Sequence, residues 1–293
     1  MALDCRPDLD PLAAALAHKA RAGVAGAVDR RVVAAGEGWR IVDVVCTCGP
    51  NDRPFEEQHE VASISLVLSG TFVCRNAQGS SLLSAGALFL GNAGQMFECS
   101  HHHGEGDRCL SFQFDADLFE RLAYDAGAAR PAFEHHRLPP LRPLARLTAR
   151  AKAALARQDS FEEIALELAG TVAQVAGRPR REAPAASPHH ARIARVLRQM
   201  GPRIAEPLTL AELAGAANLS PYHFLRTFKR VTGITPHQWL LRARLGEAAQ
   251  RLVVSRAPVT DIALDVGFED LSNFINSFRA EFGVSPRRYR LAA

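Results

Sequence analysis

LAELAGAANLSPYHFLRTFKRVTGITP at residues 210–236 decides the fold, because the chain spells it again as VTDIALDVGFEDLSNFINSFRAEFGVSP at residues 259–286. Leu210, Leu213 and Ala214 align with Val259, Ile262 and Ala263 at an offset of 49, whereas Phe224, Phe228, Gly233 and Pro236 align with Phe274, Phe278, Gly283 and Pro286 at an offset of 50. The extra residue falls between the two sets, so each copy is a short helix, a tight turn and a second helix, with the longer turn in the second copy. A helix-turn-helix written twice is the simplest reading.

Local chemistry supports each boundary. Ser220 and Asp270 are suited to cap the second helix of each unit, and Pro221 stands where a missing N–H costs nothing. Gly233 and Gly283 are placed to end those helices in a left-handed residue. Phe224 and Phe228, then Phe274, Phe278 and Phe282, recur at helical spacing and are expected to be buried. Burying them turns Tyr222, His223, Leu225, Arg226, Lys229 and Arg230 outward on the first unit. Leu271, Ser272, Asn273, Ile275, Asn276 and Arg279 face outward on the second. Arginine suits guanine, asparagine suits adenine and an apolar group suits the thymine methyl, so these faces have the chemistry of base readers. Arg230, Arg279 and the tail Arg287-Arg288-Tyr289-Arg290 suit phosphates. Between the units, PHQWLLRARLGEAAQRLVV (236–254) reads as one helix of roughly 28 Å. Successive major grooves on one face of DNA lie about 34 Å apart, so such a spacer suits one chain reading two adjacent grooves.

The rest of the chain divides around this domain. At 293 residues two domains are expected. Residues 189–293 carry 15 Arg and Lys against 8 Asp and Glu, whereas the remainder carries 20 against 23, so a polyanionic partner is expected for the C-terminal third alone. GRPRREAPAASPHH (177–190) lacks apolar periodicity and reads as a linker, assigned to 177–189. From about 39 to 115 short alternating runs punctuated by Gly, Asn and Pro indicate an antiparallel barrel or sandwich. From about 117 to 176 the spacing turns helical and predicts a helical hairpin with an apolar stripe at Ile164, Leu168, Val172 and Val175. No run is long and apolar enough to span a membrane, and the acidic N-terminus lacks the basic start of a signal peptide, so a cytoplasmic protein with reduced cysteines is expected.

Residues 190–293 resemble the DNA-binding domain of the AraC/XylS family of bacterial transcriptional regulators, most of all through DIALDVGFEDLSNFINSFRAEFGVSPRRYR. The resemblance implies helix-turn-helix units at about 208–232 and 258–282. It places Tyr222, Leu225 and Arg226, and then Leu271, Ser272 and Asn276, where the family's recognition helices meet bases. SLLSAGALFLGNAG similarly resembles a turn of the family's cupin-like sensor, with Ala87 where an aspartate is frequent. In this family the helices after the barrel often form a dimer interface, and that role is implied here beside the alternative that they pack on their own barrel. The implied protein is a multidomain α+β homodimer: a cupin-like sensor over 1–176 and an all-α domain of two helix-turn-helix motifs joined by a linker helix. Its implied partners are promoter or operator double-stranded DNA, RNA polymerase and a small-molecule effector or metal.

FECSHHHGEGDRCLSF (97–112) leaves three readings open. His59, Cys99, His101, His103 and Cys109 are candidate ligands for zinc or another divalent metal, with Cys46 and Cys48 standing earlier in the chain. Alternatively Cys99 and Cys109, flanked by His and Arg108, are low-pKa thiols that sense oxidants. The third reading is a polar hairpin over cysteines that act as small apolar residues. A metal-dependent cupin enzyme fused to a DNA-binding domain is the alternative function. The usual cupin pattern of metal ligands, the GxSxG elbow and the phosphate loop are absent, and no catalytic residue is assigned.

Overall fold

The structure, a computed structural model, describes residues 10–176 and 187–292. Cys5 and the expected linker as far as 186 lie outside the described residues. The N-terminal region opens with α1 (Pro11–Ala22), capped by Asp10, and continues through β1 (Val28–Gly36), β2 (Trp39–Cys46) and β3 (Phe55–Gln58). Then come β4 (Ala62–Asn76), β5 (Gly79–Ser84), β6 (Leu88–Gly91), β7 (Met96–Ser100) and β8 (Asp107–Phe114). Helix α2 (Ala116–Asp125), the two-residue β9 (Arg137–Leu138), α3 (Arg142–Arg157) and α4 (Glu162–Ala176) complete the region.

The fifteen residues of β4 serve two sheets. Its first half pairs with β8 and β6 in the order β1-β2-β8-β4-β6-β9, and its second half pairs with β5 and β7, with β3 beyond β7. The strand turns the corner at a register shift between Val67 and Ser69 and at Gly70, whose φ is 77°. A Cβ on Gly70 would fall 2.3 Å from the carbonyl oxygen of Gly106, so only glycine lets the two loops approach.

Alternation then sorts the side chains. Ile64 and Leu66 of β4 and Leu110 and Phe112 of β8 point outward and are buried beneath α2, α3 and α4. Ser63, Ser65, Cys109 and Ser111 point inward and line a cavity. The apolar stripe of α4 is consumed here, with Ile164, Leu168 and Val172 in the same core, so it packs within the chain. Three elements escaped the sequence reading: α1 and β1 precede the expected start of the barrel, and β9 interrupts the helical region.

The C-terminal region is helical throughout: α5 (Ser187–Met200), a 3-10 turn at Gly201–Arg203, α6 (Leu210–Ala216), α7 (Pro221–Thr232), α8 (Pro236–Val254), α9 (Val259–Asp265), α10 (Leu271–Phe282) and α11 (Pro286–Leu291). The turn between α9 and α10 is one residue longer than that between α6 and α7, as the offsets require. In the shorter turn Asn218 takes the left-handed conformation at φ 52°, and in the longer one Gly267 does so at 93°. Phe224, Phe228, Phe274 and Phe278 are fully buried. Burying each contributes about 1.5–3 kcal/mol.

Arg244 of α8, which the sequence reading treated as an ordinary helix residue, ties the two units together. Its guanidinium donates to the carbonyls of Ile204 at 2.6 Å, Glu206 at 2.8 Å and Gly267 at 2.8 Å. One side chain thus holds the second unit's turn against the chain that leads into the first. Arg244→Met is expected to cost about 2–4 kcal/mol in urea denaturation of the full chain, because it leaves three carbonyls without their charged donor. A loss under about 0.5 kcal/mol would show that water replaces the guanidinium freely.

Candidate DNA interface and sensor cavity

The capping residues set the start of each candidate reading helix. Ser220 accepts from the backbone of His223, and Asp270 accepts from Ser272 and Asn273, so the first turns of α7 and α10 are fixed. Gly233 and Gly283 close them at φ 83° and 78°. With the phenylalanines inward, Tyr222, His223, Arg226, Lys229 and Arg230 are exposed on α7, and Leu225 is half-buried beside them. Leu271, Ser272, Asn273, Asn276 and Arg279 are exposed on α10 in the matching positions. Tyr222 is 70% exposed and carries the Arg226 guanidinium 5.8 Å above its ring, which restrains a long side chain near the helix start. The tail is split: Arg287 is exposed, whereas Tyr289 is buried and Arg290 donates to the carbonyls of Leu252 and Ala257. Arg290 is therefore a structural tie, which corrects its assignment to phosphate.

The sensor cavity, of about 540 Å³, lies between the two sheets. Phe72, Phe89 and Phe97 form an aromatic wall on which His59 stacks, its ring 4.3 Å from that of Phe97. Ser65 donates to its cross-strand neighbour Ser111 at 2.9 Å along one wall, and the Arg30–Glu57 pair stands at the rim. The walls are mixed, with Phe72, Phe89 and Phe97 beside Arg30, Glu57, His59 and the serines, which suits a small organic molecule bearing polar groups.

The five expected metal ligands are not gathered at one point. His59, Cys99, His101 and Cys109 all border the cavity but hold different partners. His59 Nδ1 meets Ser63 Oγ at 3.0 Å, Cys99 is paired with Cys74 across β4 and β7, and the Cys109 thiol donates to Asp107 at 3.2 Å. His103 leaves the set because β7 ends at Ser100 and the chain turns away through Gly104 and Gly106, so strand alternation no longer applies. Among the described residues, the three side chains that do converge are Cys46, Cys48 and His101, with candidate ligand atoms all within 4.8 Å of one another. The low-pKa thiol reading is corrected as well. The neighbouring Cys74 thiol and burial push Cys99 well above its ordinary value, and burial beside Asp107 does the same to Cys109.

Discrete ties join the sensor to the helical region. Arg137 of β9, 5% exposed, donates to the carbonyl of Val231 in the last turn of α7 at 2.8 Å. Arg242 of α8 bonds Glu281 at 3.1 Å and the carbonyl of Pro140, while Arg142 approaches Glu281 at 3.6 Å. Leu82 of β5 enters the core of the first helix-turn-helix unit, and Ala149 of α3 enters that of the second. Sequence reasoning missed these residues, since nothing in a local pattern marks an arginine for a carbonyl about a hundred positions away.

Residues 43–173 match the family model of an AraC-like ligand binding domain, and residues 213–292 match that of a helix-turn-helix domain. Over 83 residues the chain is 40% identical to the probable transcriptional regulator LumQ of Photobacterium leiognathi, covering 28% of this chain and 34% of that protein. The HTH-type transcriptional activator RhaS of Klebsiella pneumoniae is 37% identical over 105 residues, covering 36% of this chain and 38% of that protein. The chain thus spans about a third of the length of these relatives. The DNA-binding domain of the global transcriptional factor AdpA, solved in complex with a target DNA, is 32% identical, covering 34% of this chain and 90% of that one at a TM-score of 0.33.

Burial pushes the His59 imidazole down to about 4, and burial with the nearby His103 and Arg137 does the same to His190. An unfolded imidazole takes its proton near 6.5, so the stability these groups contribute is complete above about pH 6.5 and is lost as the pH falls toward 4. Urea denaturation of the wild type is expected to show roughly 1–3 kcal/mol less stability at pH 5 than at pH 7.5. His59→Asn, which keeps a partner for Ser63 without titrating, is expected to lessen that fall. An unchanged pH slope in the variant would remove His59 from the account.

Proposed function

We propose, on the premise that this chain belongs to the AraC family, that it is a sequence-specific DNA-binding regulator of transcription controlled by a signal received in its N-terminal domain. One observation carries the reading: two duplicated helix-turn-helix units bury matched phenylalanines and leave matched faces of base-reading and phosphate-binding side chains exposed. The docked sensor leaves those faces free, so the described arrangement is compatible with contact to duplex DNA. Arg226 and Asn276 have the side chains for bidentate readout of guanine and adenine. Tyr222, Leu225, Leu271 and Ser272 fill the base-facing surface around them, and thymine methyls suit the two leucines. His223, Lys229, Arg230, Asn273, Arg279 and Arg287 position the domain on the backbone.

Control requires that an effector favour one arrangement of the two regions over another. A route runs from the cavity to a reading helix. Phe89 of the cavity wall pairs in register with Arg137, and Arg137 holds the C-terminal end of α7. A small molecule that shifts β6 therefore acts on α7 through one strand and one guanidinium. RNA polymerase and a second copy of the chain are further partners of such a regulator. The stripe on α4 is already packed within the chain, so a second copy would have to dock through another surface. Under this reading the chain binds and releases DNA without turning over a substrate. Among the described residues no helix is long and apolar enough to cross a membrane.

The test starts with random duplexes selected on the purified full chain. An enriched sequence is expected, on which Arg226→Ala loses about 1–3 kcal/mol and relaxes preference at one base position. Lys229→Ala is expected to weaken all sequences alike and to lower the salt slope by about one. Failure to enrich any sequence would overturn the reading, and a uniform loss in Arg226→Ala would move Arg226 to the phosphate contacts.

A further inference from the structure

Cys46, Cys48 and His101 form a compact group that the DNA-binding reading does not use. Cys46 closes β2, Cys48 follows two residues later, and His101 is the first residue past β7; all three are buried. The backbone is built to bring these segments together. Cys46 is the register partner of Asp107 across β2 and β8, and Gly106 donates to the carbonyl of Cys48 at 2.8 Å. Gly106 has a φ of 65°, and a Cβ there would fall 2.5 Å from the Cys46 carbonyl and 2.8 Å from Leu12 of the overlying α1. On the outer side, Lys19 of α1 donates to the Thr47 carbonyl and to Asp52, both at 2.8 Å. Asp52 in turn accepts from the backbones of Gly26 and Gly49. The CxC turn is therefore held in place by groups other than its own thiols.

The two ring nitrogens of His101 differ in their partners. Its Nε2 lies 2.7 Å from Asp107 Oδ1, while its buried Nδ1 has no hydrogen-bond partner. A carboxylate on Nε2 keeps the proton there and leaves a lone pair on Nδ1, which is how an outer carboxylate orients a metal-binding imidazole. Asp107 is itself fixed by the Cys109 thiol through its other oxygen. Two thiolates and a neutral imidazole match a borderline-soft divalent ion in both charge and donor type. Drawing the three atoms from within 4.8 Å to the roughly 3.5–3.8 Å spacing of a tetrahedral zinc site needs about one ångström of movement.

The loop that begins at His101 also meets the helical region. Gly104 lies so near Thr71 and Arg198 that a Cβ there would fall 2.7 Å from Thr71 Oγ1 and 3.3 Å from Arg198 Nη1 of α5. We propose that Cys46, Cys48 and His101 bind one thiophilic divalent ion of the zinc class, with Asp107 orienting the imidazole, and that loading this site sets the 101–106 loop against α5. Loading replaces the two S–H protons, which leave to solvent, with one dication, and a fourth coordination position stays open. The regulatory half rests on the regulator reading, whereas the site itself does not.

The test uses the full chain, stripped with a chelator under reducing conditions and titrated with zinc or with cobalt(II) as a spectroscopic probe. One ion per chain is expected, with a thiolate-to-cobalt charge-transfer band. Both are expected to vanish in Cys46→Ser/Cys48→Ser and in His101→Ala, and to persist in Cys99→Ser. Asp107→Asn, a gentler change, is expected to weaken binding about 10–100-fold while the chain stays folded. Hydrogen exchange in 187–200 is expected to slow on loading only where the ion binds. Substoichiometric binding, or binding that survives in the double cysteine variant, would overturn the site. So would a Cys46–Cys48 disulfide as the form that persists in the presence of zinc. Binding with unchanged exchange in α5 would overturn the coupling alone. A loaded site in a chain that enriches no DNA sequence would sustain the site and defeat the regulator reading.

Discussion

The burial of two phenylalanine pairs at i, i+4 spacing is the constraint on which the rest depends. Phe224 and Phe228 on α7, and Phe274 and Phe278 on α10, are each fully enclosed, and enclosing them fixes the rotation of each helix about its axis. Rotation decides which residues meet the outside. A turn of one residue, about 100°, would carry Lys229 or Arg279 into the core and expose a phenylalanine, at a cost that no capping interaction offsets. The caps at Ser220 and Asp270 then fix where each helix begins, and Gly233 and Gly283 where it ends. The spacing of the two faces passes to α8, a continuous nineteen-residue helix with a capping box at Thr235 and Gln238.

The sensor is joined to this unit by mixed ties. Apolar contributions from Leu82 and Ala149 extend the cores of the two helix-turn-helix units onto the sensor, so the regions share buried surface. Between those contacts the seam opens into a cavity of about 730 Å³ bordered by Leu144, Trp239, Arg242 and Phe282. Arg137 and Arg242 cross the seam as hydrogen-bonded guanidinium groups. A seam with a void and a few directional bonds has lower resistance to rearrangement than a close-packed core. Under the proposed function that property is required, since a signal must shift one docked arrangement relative to another.

Much of the helical region was legible because its rules are local. The repeat, the one-residue difference in turn length, the caps, the terminal glycines and the buried phenylalanines all follow from spacing within a few turns of helix. The barrel was legible only as a texture of alternating runs. Helix α1 is marked in the sequence only at its ends, by Asp10-Pro11 and Gly23. Residues 99–103 show where the period-two rule fails: the strand stops at Ser100, and Gly104 and Gly106 turn the chain so that His101 joins Cys46 and Cys48 while His103 moves away. Cys46 and Cys48 were visible in the chain, but their nearness to His101 depends on the pairing of β2 with β8, a contact about sixty residues long. The same limit hid Arg137 and Arg244, whose carbonyl partners no local pattern identifies.

If one chain reads two adjacent groove segments at a spacing fixed by α8, its affinity depends on the distance between those segments. The direct measurement is binding of the full chain to its selected duplex after insertion of five or ten base pairs between the two contacted segments. Both insertions are expected to reduce affinity to that of a single segment, because a rigid spacer cannot follow even when the helical phase is restored. Full affinity for the ten-base-pair insertion would contradict it, and would mean that the two units reach DNA through a flexible connection or from separate chains.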